Sequence, residues 1–219
     1  MQINLCAPQE EILRRLSLPP KPARSREIWY FESPSLEQFA RGTVFRLRLG
    51  KNERVLTLKA SPADCVHLDR ALLPQGQGKC EYDVHGDSTK GAVSLDANLD
   101  EATVRGLLDK RIALGDALSP AQVRYLKTSA GGWPLAADLR PLGPVRVDTY
   151  KPRKRRFDVD LWRLPGEGRY AEISQKGPAD AASRLDADIK KDLAGAGLEP
   201  CADQSSQAES KLRALLAAP

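Results

Sequence analysis

The chain has 219 residues, 29% of which are charged, and Lys and Arg exceed Asp and Glu by 34 to 29. This length suits one barrel-sized domain, and we predict a single domain over residues 1–219. The positive balance favours anionic partners, whereas an aromatic content of 5% argues against a stacking platform for single-stranded nucleic acid.

The cysteines Cys6, Cys65, Cys80 and Cys201 are far apart in the sequence and include no CxxC pair that could begin a zinc site. We therefore predict reduced, mostly buried thiols. The first residues show no charged-then-apolar leader, and no segment approaches the roughly 18 apolar residues that a membrane span needs. The sequence therefore predicts a cytoplasmic protein with no membrane partner.

Helices are predicted where apolar side chains recur at helical spacing after a proline or a capping residue. The first two predicted helices are 9–16 and 101–114, the second after the N-cap Asp100, and a short helix begins at Ser119 and Pro120. A further helix follows Pro178, with Leu185, Ile189 and Leu193 at every fourth position. The last predicted helix begins with Ser206 and Glu209, which are spaced as a capping box.

Strands are predicted where apolar and ionisable residues alternate with period two. The segments with this pattern are 45–49, 56–59, 80–84, 156–161 and 171–174. One interpretation is an open sheet whose charged face meets water. The other is a closed barrel with helices outside and the charged faces inside. Spacing alone leaves both arrangements open, although arginines on one strand and carboxylates on another are unusual for a solvated face.

The segments 29–36, 40–42, 45–49 and 56–59 together resemble the first half of CYTH domains, also called triphosphate tunnel metalloenzymes. This family includes class IV adenylyl cyclases, thiamine triphosphatases and inorganic triphosphatases. The resemblance continues through 80–83, 156–160, 170–174 and 210–212. It implies an α+β fold, an antiparallel β-barrel with a charged interior and amphipathic helices packed outside.

Holding a triphosphate requires several fixed cations on a rigid wall. Arg46 and Arg48, on one face of a strand, offer planar forks of donors. The alternation that includes Asp158 points Lys154 and Arg156 inward, rather than Arg153 and Arg155, unless a bulge at Pro152 reverses it. The predicted phosphate-binding residues are Arg46, Arg48, Lys59, Lys154, Arg156 and Lys211.

The resemblance also implies a site for Mg²⁺ or Mn²⁺, ions that prefer carboxylate and phosphate oxygens. The residues carried over as metal ligands are Glu81, Asp160 and Glu172, with Asp83 and Asp158 as weaker candidates. In family enzymes the metal polarises the phosphoanhydride and orients a water for attack.

Two segments depart from the family pattern. Where the family has Glu-x-Glu-x-Lys on its first strand, this chain has the uncharged residues Gln2, Asn4 and Cys6, and Ser174 stands where a later Glu-x-Glu ends. Amide oxygens are not anionic ligands. The sequence therefore predicts a weakened metal site, with triphosphate binding that depends little on Mg²⁺.

The sequence thus predicts binding of a triphosphate-bearing ligand and leaves metal-dependent phosphoanhydride hydrolysis open, with slow or absent turnover expected. One alternative is a polyphosphate- or nucleotide-binding module without turnover. Another, less favoured, is a nucleic-acid binder that uses the basic run at 151–156. Catalytic residues and the oligomeric state are not assigned by the sequence.

Overall fold

The computed structural model describes residues 1–128, 133–153, 155–166, 168–205 and 207–218. The elements within these ranges are β1 (Gln2–Leu5), α1 (Gln9–Arg15), β2 (Arg24–Glu32), α2 (Glu37–Ala40), β3 (Thr43–Gly50), β4 (Glu53–Ala60), β5 (Gly78–His85), β6 (Ser88–Asn98), α3 (Glu101–Leu108), α4 (Leu114–Ala117), α5 (Pro120–Thr128), β7 (Arg140–Tyr150), β8 (Asp158–Arg163), β9 (Arg169–Ser174), α6 (Ala182–Gly195) and α7 (Ala208–Ala217), with short 3-10 helices at Arg70–Leu72 and Ala179–Ala181.

The strands form a closed barrel in the order β1-β5-β6-β4-β3-β2-β7-β8-β9. The pairs β2–β3, β3–β4, β4–β6, β7–β8, β8–β9 and β1–β9 are antiparallel. By contrast, β1 pairs with β5 in parallel at Gln2 and His85. The predicted β-barrel with helices packed outside is therefore confirmed, with this parallel pair as an addition. No described helix is both long and apolar enough to cross a membrane.

The chain divides into two compact units, and the first consists of Met1–Arg26, Asp83–Thr89 and Val145–Gln207. Its apolar core lies on one face of β1, β8 and β9, where Ile3 and Val159 are each in register with Ile173. Ile12 of α1 and Ile189 of α6 are fully buried against this face. Burying each such side chain contributes roughly 1.5 to 3 kcal/mol, so these helices are held mainly by packing.

A buried amide fixes the position of α1 in the first unit. Gln9 Nε2 donates to the carbonyl oxygens of Trp162 and Tyr170, each at 3.0 Å. These two carbonyls belong to neighbouring positions on β8 and β9. The helix is therefore placed over the strands by direction-specific contacts as well as by its apolar face.

The second unit consists of Glu27–Tyr82, Lys90–Pro144 and Ala208–Pro219. Its apolar core combines one face of β3, β4 and β6 with α3, α4 and α5. Gln122 of α5 is fully buried, and its Nε2 donates to the carbonyl oxygens of Leu56 and Leu95, each at 2.9 Å. Its Oε1 accepts from the backbone N–H of Ser119 at 2.9 Å. A single amide thus joins a helix to two strands in this unit as well.

The turn between β2 and β3 is built around a buried carboxylate. Glu32 is 1% exposed, and its oxygens accept from the backbone N–H groups of Gln38 at 3.0 Å and Phe39 at 2.7 Å. Gly42 follows with φ of +75°, and a Cβ there would lie 2.3 Å from the carbonyl oxygen of Ser61. Only glycine therefore fits this position, which explains its place in the motif at 40–42.

The single helix predicted at 101–114 is divided in the structure. Asp100 caps α3 as predicted, with its Oδ1 accepting from the Thr103 N–H at 2.7 Å. The helix nevertheless ends at Leu108, and Lys110 has a left-handed φ of 60°. Ile112, which continued the apolar stripe in the sequence, packs over Gly106 from the turn that follows.

The prediction of reduced thiols is wrong, because the structure contains the disulfides Cys6–Cys201 and Cys65–Cys80. Their partners are 195 and 15 residues apart, and the fold brings the Cα atoms to 5.1 and 5.5 Å. Sequence spacing could not show this, since the approach depends on strand order. Disulfides persist mainly in oxidising compartments. The cytoplasmic location stays a prediction, and these bonds count against it.

Candidate functional site

In the second unit, the side chains opposite the apolar core form what we call the basic face, defined by Arg46 and Arg48 of β3, Thr57 and Lys59 of β4, and Asp96 of β6. Alternation along β3 separates the two arginines from Phe45 and Leu47, which are fully buried in the core. The strand register places Arg46 beside Thr57 and Thr57 beside Asp96. The structure thus brings together three of the predicted phosphate-binding residues.

Arg48 is neutralised within the basic face. Its Nη2 donates to Asp96 Oδ2 at 3.2 Å, and its Nε lies 3.5 Å from Glu53 Oε1. Asp96 is itself held by the hydroxyl of Thr57, which donates to its Oδ1 at 2.5 Å. The guanidinium is only 19% exposed, so these contacts fix its position. Arg48 is therefore mainly a structural cation of this face.

Arg46 differs from Arg48 although it precedes it by only two residues. Its side chain is half-buried on the same face. Within the described part of the chain, no hydrogen bond or ion pair is formed by its guanidinium. A partly buried charge without a counter-charge is costly, and an anionic ligand would remove that cost.

The two predicted lysines of the second unit differ in exposure. Lys59 is half-buried on β4, in register with Val44 and Ser94. Lys211 lies on α7 and is only 5% exposed, which is rare for an ammonium group. Both remain candidates for phosphate binding.

In the first unit, the side chains opposite the core form what we call the acidic face, defined by Gln2 and Asn4 of β1, Thr149 of β7, Asp158 and Asp160 of β8, and Glu172 and Ser174 of β9. Register pairs place Glu172 between Asp160 and Asn4. The predicted metal ligands Asp160 and Glu172 are therefore neighbours. Asp158 is in register with Ser174, and Lys151 Nζ lies 3.4 Å from its Oδ1.

Asp160 has a raised pKa. Burial is the largest cause, and the negative charge of Asp158 adds to it. The hydroxyl of Thr149 donates to Asp160 Oδ1 at 2.6 Å, and this hydrogen bond lowers the pKa of Asp160. The positive charges of Arg24 and Arg26 lower it as well. The carboxyl of Asp160 thus lies in a poorly hydrated place where nearby cations only partly compensate its charge.

Asn4 stands where the family pattern has a carboxylate, and its side-chain amide donates to backbone carbonyls. It is 1% exposed, and its Nδ2 donates to the carbonyl oxygens of Ser205 at 2.9 Å and Asp203 at 3.4 Å. Its backbone N–H donates to Gln204 Oε1 at 2.9 Å, and Gln204 Nε2 donates back to its carbonyl oxygen at 3.0 Å. Asn4 therefore anchors the segment after α6 rather than serving as a ligand.

The structure adds residues that motif analysis missed. Arg24 and Arg26 of β2 act on Asp160, Asp96 pairs with Arg48, and Thr149 donates to Asp160. Arg24 and Arg26 alternate as Arg46 and Arg48 do, so a search for paired arginines could have found them. No such signal marks Asp96 or Thr149, which lie on β6 and β7, strands that the sequence pattern did not predict.

The remaining predicted phosphate-binding residues lie before β8. Arg156 is exposed in the bend that precedes the strand. Lys154 lies outside the described residues. Arg155, which was predicted to point away from the acidic face, donates to the carbonyl oxygen of Leu16 at 3.1 Å and lies 3.9 Å from Asp192 of α6. It thus contacts the helical side of the unit.

Glu81, the third predicted metal ligand, is exposed on β5, where its Oε2 lies 2.6 Å from Lys79 Nζ. In the ranges that the structure describes, no three His, Cys, Asp or Glu side chains are grouped in a way that could hold a metal ion. The acidic face offers adjacent Asp160 and Glu172, but its positions on β1 are neutral. The described side chains therefore do not fit a complete site for Mg²⁺ or Mn²⁺.

No protein-family model and no curated protein matches the sequence. Solved structures do match over nearly the whole chain. A candidate adenylyl cyclase from Hippeastrum, described as having a dominant triphosphatase activity, has a TM-score of 0.61 at 15% identity, covering 98% of this chain and 94% of that one. A candidate adenylate cyclase from Bacillus halodurans has a TM-score of 0.59 at 12% identity, covering 95% of each chain. Another from Vibrio parahaemolyticus has a TM-score of 0.51 at 9% identity, covering 97% and 96%.

At these identities the likeness shows the fold alone. The chain has the barrel fold of these cyclase-like proteins, and its resemblance to CYTH domains is confirmed at the level of the fold.

Proposed function

We propose that the protein binds a triphosphate-bearing ligand at its basic face. The ligand class is inorganic triphosphate, polyphosphate, or a nucleoside or thiamine triphosphate. The observation that carries the proposal is Arg46, a half-buried guanidinium that makes no ion pair with the described residues while its neighbour Arg48 is fixed by two carboxylates. A phosphate group supplies the counter-charge and the geometry that such a fork of donors requires.

The second observation behind the proposal is the surrounding positive charge. Lys59 lies on the same face, and Lys211 is a buried cation in the same unit. A ligand with several phosphates can engage such separate charges together, which one orthophosphate cannot. The triphosphatase activity described for the Hippeastrum protein, which shares the fold, agrees with this ligand class.

Efficient metal-dependent hydrolysis is a weaker part of the proposal. A divalent ion that bridges the protein and phosphate oxygens needs anionic ligands from the protein. Asp160 and Glu172 are adjacent, but the β1 positions Gln2 and Asn4 carry no charge, and Asn4 holds the segment at 203–205. We expect a weak site for Mg²⁺ or Mn²⁺, and slow or absent turnover. The protein is then a binding module, with hydrolase activity as the alternative.

Nucleic-acid binding is the less favoured function. The basic run before β8 is partly occupied by internal ion pairs, since Lys151 is close to Asp158 and Arg155 to Asp192. Binding through phosphate backbones would weaken steeply with salt and would not prefer short triphosphates.

The proposal is tested by isothermal titration with inorganic triphosphate, orthophosphate and a single-stranded oligonucleotide at two salt concentrations. We expect triphosphate to bind more tightly than the other two. Arg46→Gln should weaken triphosphate binding roughly ten- to a hundredfold, the effect of losing a charge-assisted contact.

The matched control is Arg54→Gln. Arg54 lies on the neighbouring strand β4, is exposed, and pairs with Glu101 of α3. This variant changes the net charge equally and should keep wild-type affinity. Equal losses for both variants would mean that only the overall charge matters, and equal binding of orthophosphate and triphosphate would overturn the proposed ligand class.

A further inference from the structure

Arg24 and Arg26 at the start of β2 have no counterpart in the motifs that predicted the site. Ser25 between them donates from its hydroxyl to Asp148 Oδ1 at 2.6 Å. Asp148 is in register with the buried Leu161, on the core side of β7 and β8. Alternation along β2 therefore turns Arg24 and Arg26 to the opposite side, which is that of the acidic face.

The backbone places the start of β2 along β7, the strand whose Thr149 contacts Asp160. The N–H of Ala23 donates to the carbonyl oxygen of Thr149 at 2.9 Å, so the start of β2 runs along β7. The hydroxyl of Thr149 in turn donates to Asp160 at 2.6 Å. The electrostatic effect of Arg24 and Arg26 on Asp160 agrees with this placement.

Cations at the acidic face partly compensate its carboxylates. Lys151 lies 3.4 Å from Asp158, and Arg24 and Arg26 act on Asp160. The positions on β1 contribute no charge. A divalent ion needs a surplus of anionic oxygens, and this face does not offer one.

We propose that arginines take the place of a divalent metal ion at the acidic face, and that Arg24 and Arg26 bind phosphate groups directly at this face. This inference rests on the proposed function, because it assigns further residues for the same ligand class. A guanidinium can bridge a carboxylate and a phosphate with separate donors, which is the bridging role that a divalent ion has elsewhere. Binding of triphosphate should then need no metal.

The test is isothermal titration of inorganic triphosphate into the full-length protein, once with EDTA and once with excess Mg²⁺. Wild type should bind with affinities that agree within about threefold in the two buffers, since tenfold corresponds to 1.4 kcal/mol. The double variant Arg24→Gln with Arg26→Gln should lose roughly tenfold or more with EDTA, and Mg²⁺ should restore part of the loss.

The matched control is Arg163→Gln with Arg169→Gln. These arginines lie on β8 and β9 of the same unit but pair with Asp148 and Glu10 on the side away from the acidic face. This control variant also removes two positive charges, and it should keep the wild-type affinity for inorganic triphosphate in the buffer with EDTA. A third variant, Arg24→Lys with Arg26→Lys, keeps the cations and should retain most of the affinity, which separates loss of charge from misfolding.

The outcomes distinguish this inference from the proposed function. Tight metal-free binding that survives Arg24→Gln with Arg26→Gln would overturn the inference and leave the proposed function intact. Wild-type binding only with Mg²⁺ would overturn the inference in the same way. Absence of triphosphate binding in both buffers would overturn both.

Discussion

The two charged faces of this protein use the same residue types differently. On the basic face, Asp96 and Glu53 neutralise Arg48, and Arg46 remains as a cation without a partner among the described residues. On the acidic face, the cations Lys151, Arg24 and Arg26 partly compensate the carboxylates. The difference teaches that the binding capacity of a face depends on the charge left after internal pairing. A motif such as Arg-x-Arg gives only the total number of charges, before any of them is paired.

The two units also share a structural feature, a buried glutamine that joins a helix to two strands. In each, one buried glutamine amide donates to carbonyls of two adjacent strands, Gln9 in the first unit and Gln122 in the second. Each unit further contains one disulfide, which closes a long separation in the first and a short one in the second. The units can therefore be compared variant by variant.

The largest expected effect concerns the disulfides. A crosslink restricts the unfolded chain more when its partners are farther apart, so Cys6→Ser with Cys201→Ser should lower the free energy of unfolding by about 4 to 5 kcal/mol. Cys65→Ser with Cys80→Ser should lower it by about 3 kcal/mol. Urea unfolding under oxidising conditions measures both. The reverse order would show that strain or residual structure decides the effect.

The next largest effect is expected at Gln9 and Gln122, the buried glutamines that join a helix to two strands in each unit. Gln122→Leu should cost about 2 to 3 kcal/mol, because it removes three hydrogen bonds at a fully buried position. Gln9→Leu removes two and should cost less. Chemical unfolding gives both values, with the exposed Gln75→Leu as a control expected within about 0.5 kcal/mol of wild type. Equal costs at the two anchors would mean that packing, not hydrogen bonding, holds the helices.

A third prediction separates the two arginines of β3. Arg48→Gln should destabilise the unliganded protein by about 1 to 3 kcal/mol, because it removes the cation that lies against Asp96 and Glu53. Arg46→Gln should not lower the stability of the unliganded protein, because it removes a charge without a counter-charge, while it weakens triphosphate binding. Thermal unfolding without ligand, combined with titration, measures both properties. If both variants lose stability equally, Arg46 has a structural partner, and the basic face then has no uncompensated cation that could bind a ligand.

The smallest expected effect is the pH dependence at Asp160. Its raised pKa means that the folded protein holds this proton more tightly than the unfolded chain, so stability falls as the pH rises from the ordinary value of 3.8 through the raised value. Asp160→Asn cannot ionise and should be more stable at neutral pH by on the order of 1 kcal/mol. Below pH 3.8 the difference should vanish.

Urea unfolding at neutral pH and at the lowest pH where the protein stays folded measures this difference. Asp148→Asn is the contrasting variant, because Asp148 lies on the other side of the sheet and pairs with Arg163. It should destabilise at neutral pH. A stabilisation by Asp160→Asn that does not change with pH would contradict the assigned cause.

The sequence by itself determined the local features of this protein. Alternating residues predicted five of the strands, and capping residues such as Asp100 marked the helix starts. These features depend on neighbours within a few residues, which is why pattern analysis could find them. The closed barrel was predicted from the resemblance of these segments to CYTH domains, because their spacing alone left an open sheet possible.

Only the tertiary structure decided which charges are paired. Arg48 and Asp96 are 48 residues apart, and Cys6 and Cys201 are 195 apart, so their contact follows from strand order and register rather than from spacing. The start of β2 also contacts a distant strand, since Ser25 and Asp148 are 123 residues apart, and that placement turns Arg24 and Arg26 toward the side of Asp160. Coulomb interactions fall off within a few ångströms in a hydrated protein, so a shift of one strand position would assign different partners to the same motif.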